Sequence, residues 1–323
     1  MIATRQTSLS TALLRVLVLG SACWGAACSS TDNTDDDTTG GSSVEGIDKI
    51  VYLVRQHTTI DANGDVTINV ASGMGQVMDY RRYVPGGRVE LKDLRTGDIT
   101  NLLASDRYRN ADVVGLDVSF DAKKIVFAMR RGGEDMNYHL YTANLESNAD
   151  DDWEITQLTF GAHDDLAPVW VAGGRIAFFT NESYTEMGTR ADEYNHGQDV
   201  SQIATISEEG GDADRTVCSQ NLSHTVNLFS MQSGQIGFSR WEHLENVNDL
   251  KVFAMNPDCT QMVAVAGQHE KFWNSLIQLS ETPNRNVFVG IATSRENTIQ
   301  SGALVRVDVR GEDDHDRLDE ETP

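Results

Sequence analysis

Four residues stand at repeated distances from the same kind of apolar segment. Asp112, His163 and His224 lie 13, 13 and 12 residues ahead of Ile125, Ile176 and Ile236, and His269 lies 18 ahead of Val287. Asp164, Asp165 and Glu270 sit beside them. Imidazoles and carboxylates are ordinary ligands of divalent metals, and converging carboxylates also hold organic cations. Asp112, His163, Asp165, His224 and His269 are therefore the candidate ligand-binding set, with a divalent metal as one possible occupant. The plainer account is that each side chain hydrogen-bonds a loop of its own unit, and the residue types alone favour it. Other chemistry is hard to find. There is no G-x-S-x-G elbow, P-loop or dinucleotide fingerprint, and His269-Glu270 runs into Lys271-Phe272-Trp273, which breaks the H-E-x-x-H zinc pattern. No catalytic residue is assigned. A non-enzymatic role is expected, with metal-dependent hydrolysis or lyase chemistry at the same residues as the lesser alternative.

The elements that must position this set are strands. Residues 47–310 hold short apolar runs broken by Gly, Asn and Asp, with no amphipathic helix. Five runs align: Ile50-Val51-Tyr52, Ile125-Val126-Phe127, Ile176-Ala177-Phe178, Ile236-Gly237-Phe238 and Val287-Phe288-Val289. Each is followed by a second alternating strand: Arg88–Leu94, His139–Leu145, Gln202–Ser207, Lys251–Met255 and Leu304–Val309. Each unit reads as a four-stranded antiparallel meander, and radial repetition of such units is an all-β propeller. About five repeats fit, either an incomplete ring or a ring of six-bladed type. The first unit lacks an innermost strand and the last an outermost one, so the two partial units either complete one blade between them or leave the ring open. In this arrangement the candidate residues ring the mouth of the central channel. Insertions fall at 57–86 and 181–199. In the first, Asp61-Ala62-Asn63-Gly64-Asp65 reads as a hairpin turn between Thr58-Thr59-Ile60 and Val66-Thr67-Ile68. Trp170 and Phe178 are expected to pack between blades, and Trp241, which follows a core strand, to serve in packing.

Several of these segments resemble known repeats. Asp117-Val118-Ser119-Phe120-Asp121 with Ile125-Val126-Phe127 is similar to the signature of TolB-type propellers. So is Gln157-Leu158-Thr159-Phe160-Gly161 through Asp165, Pro168, Trp170 and Phe178. Asn221-Leu222-Ser223-His224, Phe238-Ser239-Arg240-Trp241-Glu242 and Met255-Asn256-Pro257-Asp258 resemble the propeller, or middle, domain of hydrazine synthase alpha-subunit-like proteins. The resemblance implies the fold. It does not carry the haem chemistry, because c-type attachment needs C-x-x-C-H and this chain has none. No cofactor is expected beyond a divalent metal at the channel mouth. A haem-free accessory or vestigial relative of a periplasmic redox complex is the alternative function.

The ends point to a compartment. Residues 1–27 carry Arg5, an apolar run from Leu13 and small residues before Cys28, a signal sequence of lipoprotein type with Cys28 as the lipidated residue. Residues 28–46 are an acidic, Gly/Ser/Thr-rich linker and 311–323 an acidic tail, both expected to be disordered. The implied location is the outer membrane, facing periplasm or cell surface, held there by the lipid. Asp and Glu number 49 against 26 Lys and Arg, a net charge of −23, which argues against a nucleic-acid partner. An envelope protein or a small ligand is the expected partner. Export permits a disulfide. However, Cys218 falls late in an outer strand and Cys259 at the opposite end of the next unit's corresponding strand. That separation is expected to exceed about 7 Å, leaving Cys259 as a turn residue.

Overall fold

The computed structural model describes residues 46–55, 58–60, 62–68, 83–133, 136–146, 153–182, 200–218, 224–244, 247–267, 275–293 and 302–309. Cys28, His269, Glu270, the insertion at 183–199 and the tail lie outside them.

The strands form five successive antiparallel blades. Blade I is β1 (Lys49–Val54), β4 (Arg88–Asp93) and β5 (Ile99–Asn101), with a separate hairpin of β2 (Thr58–Ile60) and β3 (Val66–Ile68) inserted after β1. The hairpin turn contains Gly64 at φ 87°, as the Asn-Gly pair predicts. Blade II is β6 (Asp112–Val118), β7 (Lys124–Arg130), β8 (His139–Asn144) and β9 (Ile155–Gln157). Blade III is β10 (Asp165–Val171), β11 (Arg175–Thr180), β12 (Gln202–Ser207) and β13 (Thr216–Val217). Blade IV is β14 (Thr225–Ser230), β15 (Ile236–Leu244), β16 (Val247–Met255) and β17 (Val263–Ala266). Blade V is β18 (Ser275–Glu281), β19 (Val287–Thr293) and β20 (Ala303–Asp308), tied to blade IV by one parallel bridge, Leu250 to Ser275.

Among the described residues blade I thus has no inner strand and blade V no outer one. No strand pairing among the described residues joins them, and no sheet there closes the ring.

The aligned apolar runs are the second strands, and they are apolar on both faces for a physical reason. The second strands of blades II and III are covered by a neighbour on either side, so alternation gives way to a continuous buried run, whereas β1 of the end blade I buries only Val51. In β7, Ile125, Val126, Phe127, Ala128 and Met129 are all fully buried. Odd positions Ile125, Phe127 and Met129 face a core shared with Val51, Val89 and Leu91 of blade I. Even positions Val126 and Ala128 face one shared with Trp170, Ile176 and Phe178 of blade III. Trp170 and Trp241 both lie in this second core, as their expected packing role requires. Burying each large side chain contributes about 1.5–3 kcal/mol. Between blades IV and V, Phe229 meets Phe288 edge-on with centroids 5.8 Å apart. Gly237 makes room for this, because a Cβ there would stand 2.2 Å from the Phe229 ring.

Candidate functional site

Antiparallel meanders place the start of every first strand and the end of every second strand at one end of the blades. That end is polar and buried. The register pairs Asp112 with Arg130, Asp165 with Thr180, Thr225 with Arg240 and Ser275 with Thr293. Each inner strand therefore begins on a polar residue that faces another polar residue.

Asp112 is fully buried and engaged on both oxygens. Arg55, just beyond β1, donates Nε to Oδ1 and Nη2 to Oδ2, both at 2.9 Å. The Tyr138 hydroxyl donates to Oδ2 at 2.7 Å and the Val84 amide at 3.2 Å. Burial, followed by the charge of Asp112, pushes the Tyr138 hydroxyl far above its ordinary range, so it stays a donor. Asp164 accepts from the Tyr138 amide at 2.9 Å, Asn181 Nδ2 at 3.0 Å and Arg130 Nη2 at 3.3 Å. The Arg130 guanidinium lies 4.3 Å over the Tyr138 ring. Arg55, Asp112, Tyr138, Asp164 and Arg130 thus form one network that joins blades I, II and III.

Asp165, the first residue of β10, is held the same way within blade III. Arg215 donates Nη1 to Oδ2 at 2.9 Å and Nη2 to Oδ1 at 2.7 Å. Arg215 also reaches Thr180 Oγ1 at 2.8 Å and pairs with Glu182. Burial pushes the Asp165 carboxyl up, while the hydrogen bonds and charge of Arg215 pull it down. Both carboxylates are thus held in bidentate arginine pairs.

His224 is fully buried. Its Nδ1 accepts the Ser201 amide at 3.3 Å, and its ring stacks 5.7 Å from Trp241. Ser201 continues the tie between blades III and IV, donating Oγ to the Thr225 carbonyl at 2.9 Å. The structure thus corrects the spaced set. Asp112 corresponds to Asp165, not to His163, because the turn after β6 has five residues (119–123) and the turn after β10 has three (172–174). Counting back from the second strand hid that difference. Of the set, Asp112 and Asp165 are engaged by arginines, and His224 is buried against Trp241. His163, two residues before β10, is partly exposed, and its Nδ1 has no hydrogen-bond partner among the described residues. No group of three His, Cys, Asp or Glu side chains among the described residues is placed to hold a metal. His269 is outside that description.

Reading the sequence missed Arg55, Arg130, Tyr138 and Arg215, whose roles depend on neighbours far away in the chain. It also misplaced the cysteines. Cys218 and Cys259 form a disulfide with Cα atoms 4.8 Å apart. The blades meet face to face there. Cys218 packs against the cluster containing Ile203 of β12, Phe238 of β15 and Met255, the last residue of β16. Cys259 follows four residues later in the turn, left-handed at φ 69°, which folds it back onto that same boundary.

Comparison with solved structures settles the architecture. The chain superposes on Kuenenia stuttgartiensis hydrazine synthase with a TM-score of 0.60 at 16% identity, over 81% of its own length and 37% of that chain. The fold is a β-propeller. The match spans little more than a third of the hydrazine synthase chain. The putative TolB from Agrobacterium tumefaciens is also similar, at TM-score 0.48 and 9% identity over 80% of this chain and 88% of that one. TolB from Acinetobacter baumannii matches at 0.43 and 14%, over 82% and 62%. No family model matches the sequence, and no curated protein matches it significantly. No helix among the described residues is long and apolar enough to cross a membrane.

Proposed function

We propose that the protein is an exported, lipid-anchored β-propeller that serves as a binding module in the cell envelope. It takes an envelope protein or small ligand on the face where the inner strands begin. One observation carries this reading: the carboxylates at that face are locked into arginine pairs that join successive elements, so the loops leaving it rise from a rigid platform. A rigid scaffold that displays loops is the usual architecture for recognition. His163, partly exposed, stands on one of these loops. The Cys218–Cys259 disulfide supports export, because such bonds persist in oxidising compartments. The sequence around Cys28 supports the lipid anchor.

Two measurements test this. Metabolic labelling with a palmitate analogue should mark the full chain and not its Cys28→Ser variant; absence of label in both removes the anchor. Affinity capture from solubilised envelope should return a reproducible partner or ligand. A partner rich in C-x-x-C-H motifs would instead favour the redox-accessory role.

A further inference from the structure

The inner strands share a second repeated feature, midway along each one. Pairing with the second strand breaks between Val114 and Leu116, Leu166 and Val169, Val226 and Phe229, and Ile277 and Ser280. In every break one residue is left-handed: Gly115 at φ 64°, Ala167 at 49°, Asn227 at 58° and Gln278 at 53°. Solvent reaches all four of these positions. A bulge frees its residue from the ladder. All four bulges fall midway along the innermost strand of a blade, the strand that in a propeller borders the central channel, and this level is called the waist.

The waist is lopsided. On blades II and III it is bare, and the strands nearly touch: a Cβ on Gly115 would stand 2.5 Å from the Ala167 Cα. On blades IV and V it carries two carboxamides, Asn227 and Gln278, on adjacent strands. Gln278 is exposed. Asn227 Nδ2 is enclosed and has no hydrogen-bond partner among the described residues. An enclosed N–H without an acceptor is unfavourable unless something arrives to accept it. None of the four positions holds an acid or a base.

We propose that this waist binds an uncharged molecule that brings acceptor oxygens to Asn227 and Gln278. A carboxamide offers a donor and an acceptor together, which matches hydroxyl and carbonyl groups. A free anion finds no cation at these positions, and the protein's charge of −23 opposes it. Sugar hydroxyls and peptide carbonyls both supply the required chemistry. The waist lies within the channel, so this inference stands apart from recognition by the loop face.

The test titrates the full-length protein with glucose, N-acetyl-alaninamide and acetate by ligand-observed NMR. One of the neutral probes should bind and acetate should not; which neutral probe binds identifies the source. Asn227→Gly keeps the left-handed backbone and removes the amide. It should weaken binding about tenfold without lowering the melting temperature, and Gln278→Gly should weaken it as well. The inference is overturned if neither neutral probe binds or if acetate binds as tightly. It is equally overturned if Asn227→Gly leaves affinity unchanged. Capture of a partner on the loop face should be the same for wild type and Asn227→Gly, so failure here and failure of the envelope-binding reading can be told apart.

Discussion

Cys218, at the end of the outer strand of blade III, is covalently bonded to Cys259, in the turn after the third strand of blade IV. The bond spans 41 residues of sequence and crosses the cluster of Ile203, Phe238 and Met255 that packs the two blades together. Covalent and apolar contacts therefore act on the same boundary. In a ring whose end blades share no sheet among the described residues, this boundary cannot lean on closure.

Reduction, or Cys218→Ser with Cys259→Ser, should lower stability by about 2–4 kcal/mol, since a closed loop of this length restricts the unfolded chain. Denaturant unfolding with and without reductant measures the difference. Mass spectrometry after alkylation should find both thiols blocked in protein taken from the cell.

The Arg55–Asp112 pair should respond asymmetrically. The Arg55 side chain is 27% exposed and Asp112 is buried. Arg55→Met strands a buried carboxylate and should cost about 3–5 kcal/mol. Asp112→Asn keeps the shape and leaves a guanidinium that can turn to water, so about 1–3 kcal/mol is expected. Urea midpoints of the two variants compare them directly, and equal costs would contradict the assignment.

Gly115→Ala should be more damaging than a simple left-handed alanine. The added Cβ meets backbone of β10 at 2.5 Å, which no rotamer change relieves. A loss of about 2–4 kcal/mol is expected from strain and overpacking together. Gly97→Ala, also left-handed at φ 81° but with open space around it, is the control and should cost about 1 kcal/mol.

Stability should fall in acid. The Ser119 hydroxyl holds the Asp121 carboxyl below its usual range, the Arg95 and Thr96 amides do so for Asp93, and Thr260 does so for Asp258. Groups depressed on folding contribute stability above their unfolded value, which disappears as pH falls through the folded one. Asp165, raised by burial, works in the opposite sense. Glu90 and Asp214 are also held low, so the depressed acids outnumber Asp165 and the melting temperature should hold above about pH 5 and drop below about pH 4. A scan from neutral to acid pH measures it.

The blade pattern was legible in the sequence because the second strands are short apolar runs, and in blades II and III that follows from burial on both faces. Gln202–Ser207 was read to the residue, and Arg88–Leu94 and His139–Leu145 to within one residue at the end. The site was less legible. His163 matched the spacing of Asp112 only because two turns differ in length, and Asp165 is the true counterpart. The partners that occupy these carboxylates, Arg55 and Arg215, lie tens of residues away with no local signal. The disulfide was misjudged because a strand diagram ignores blade twist and the left-handed turn at Cys259.

Photo-crosslinking in intact envelope tests the binding role most directly. A benzoylphenylalanine placed at His163, on the inner-strand face, is compared with one at Ser233, exposed in the turn between β14 and β15 at the opposite end. The binding reading predicts a discrete, reproducible adduct from position 163 and none from 233. No adduct from 163, or the same adducts from both positions, would contradict it.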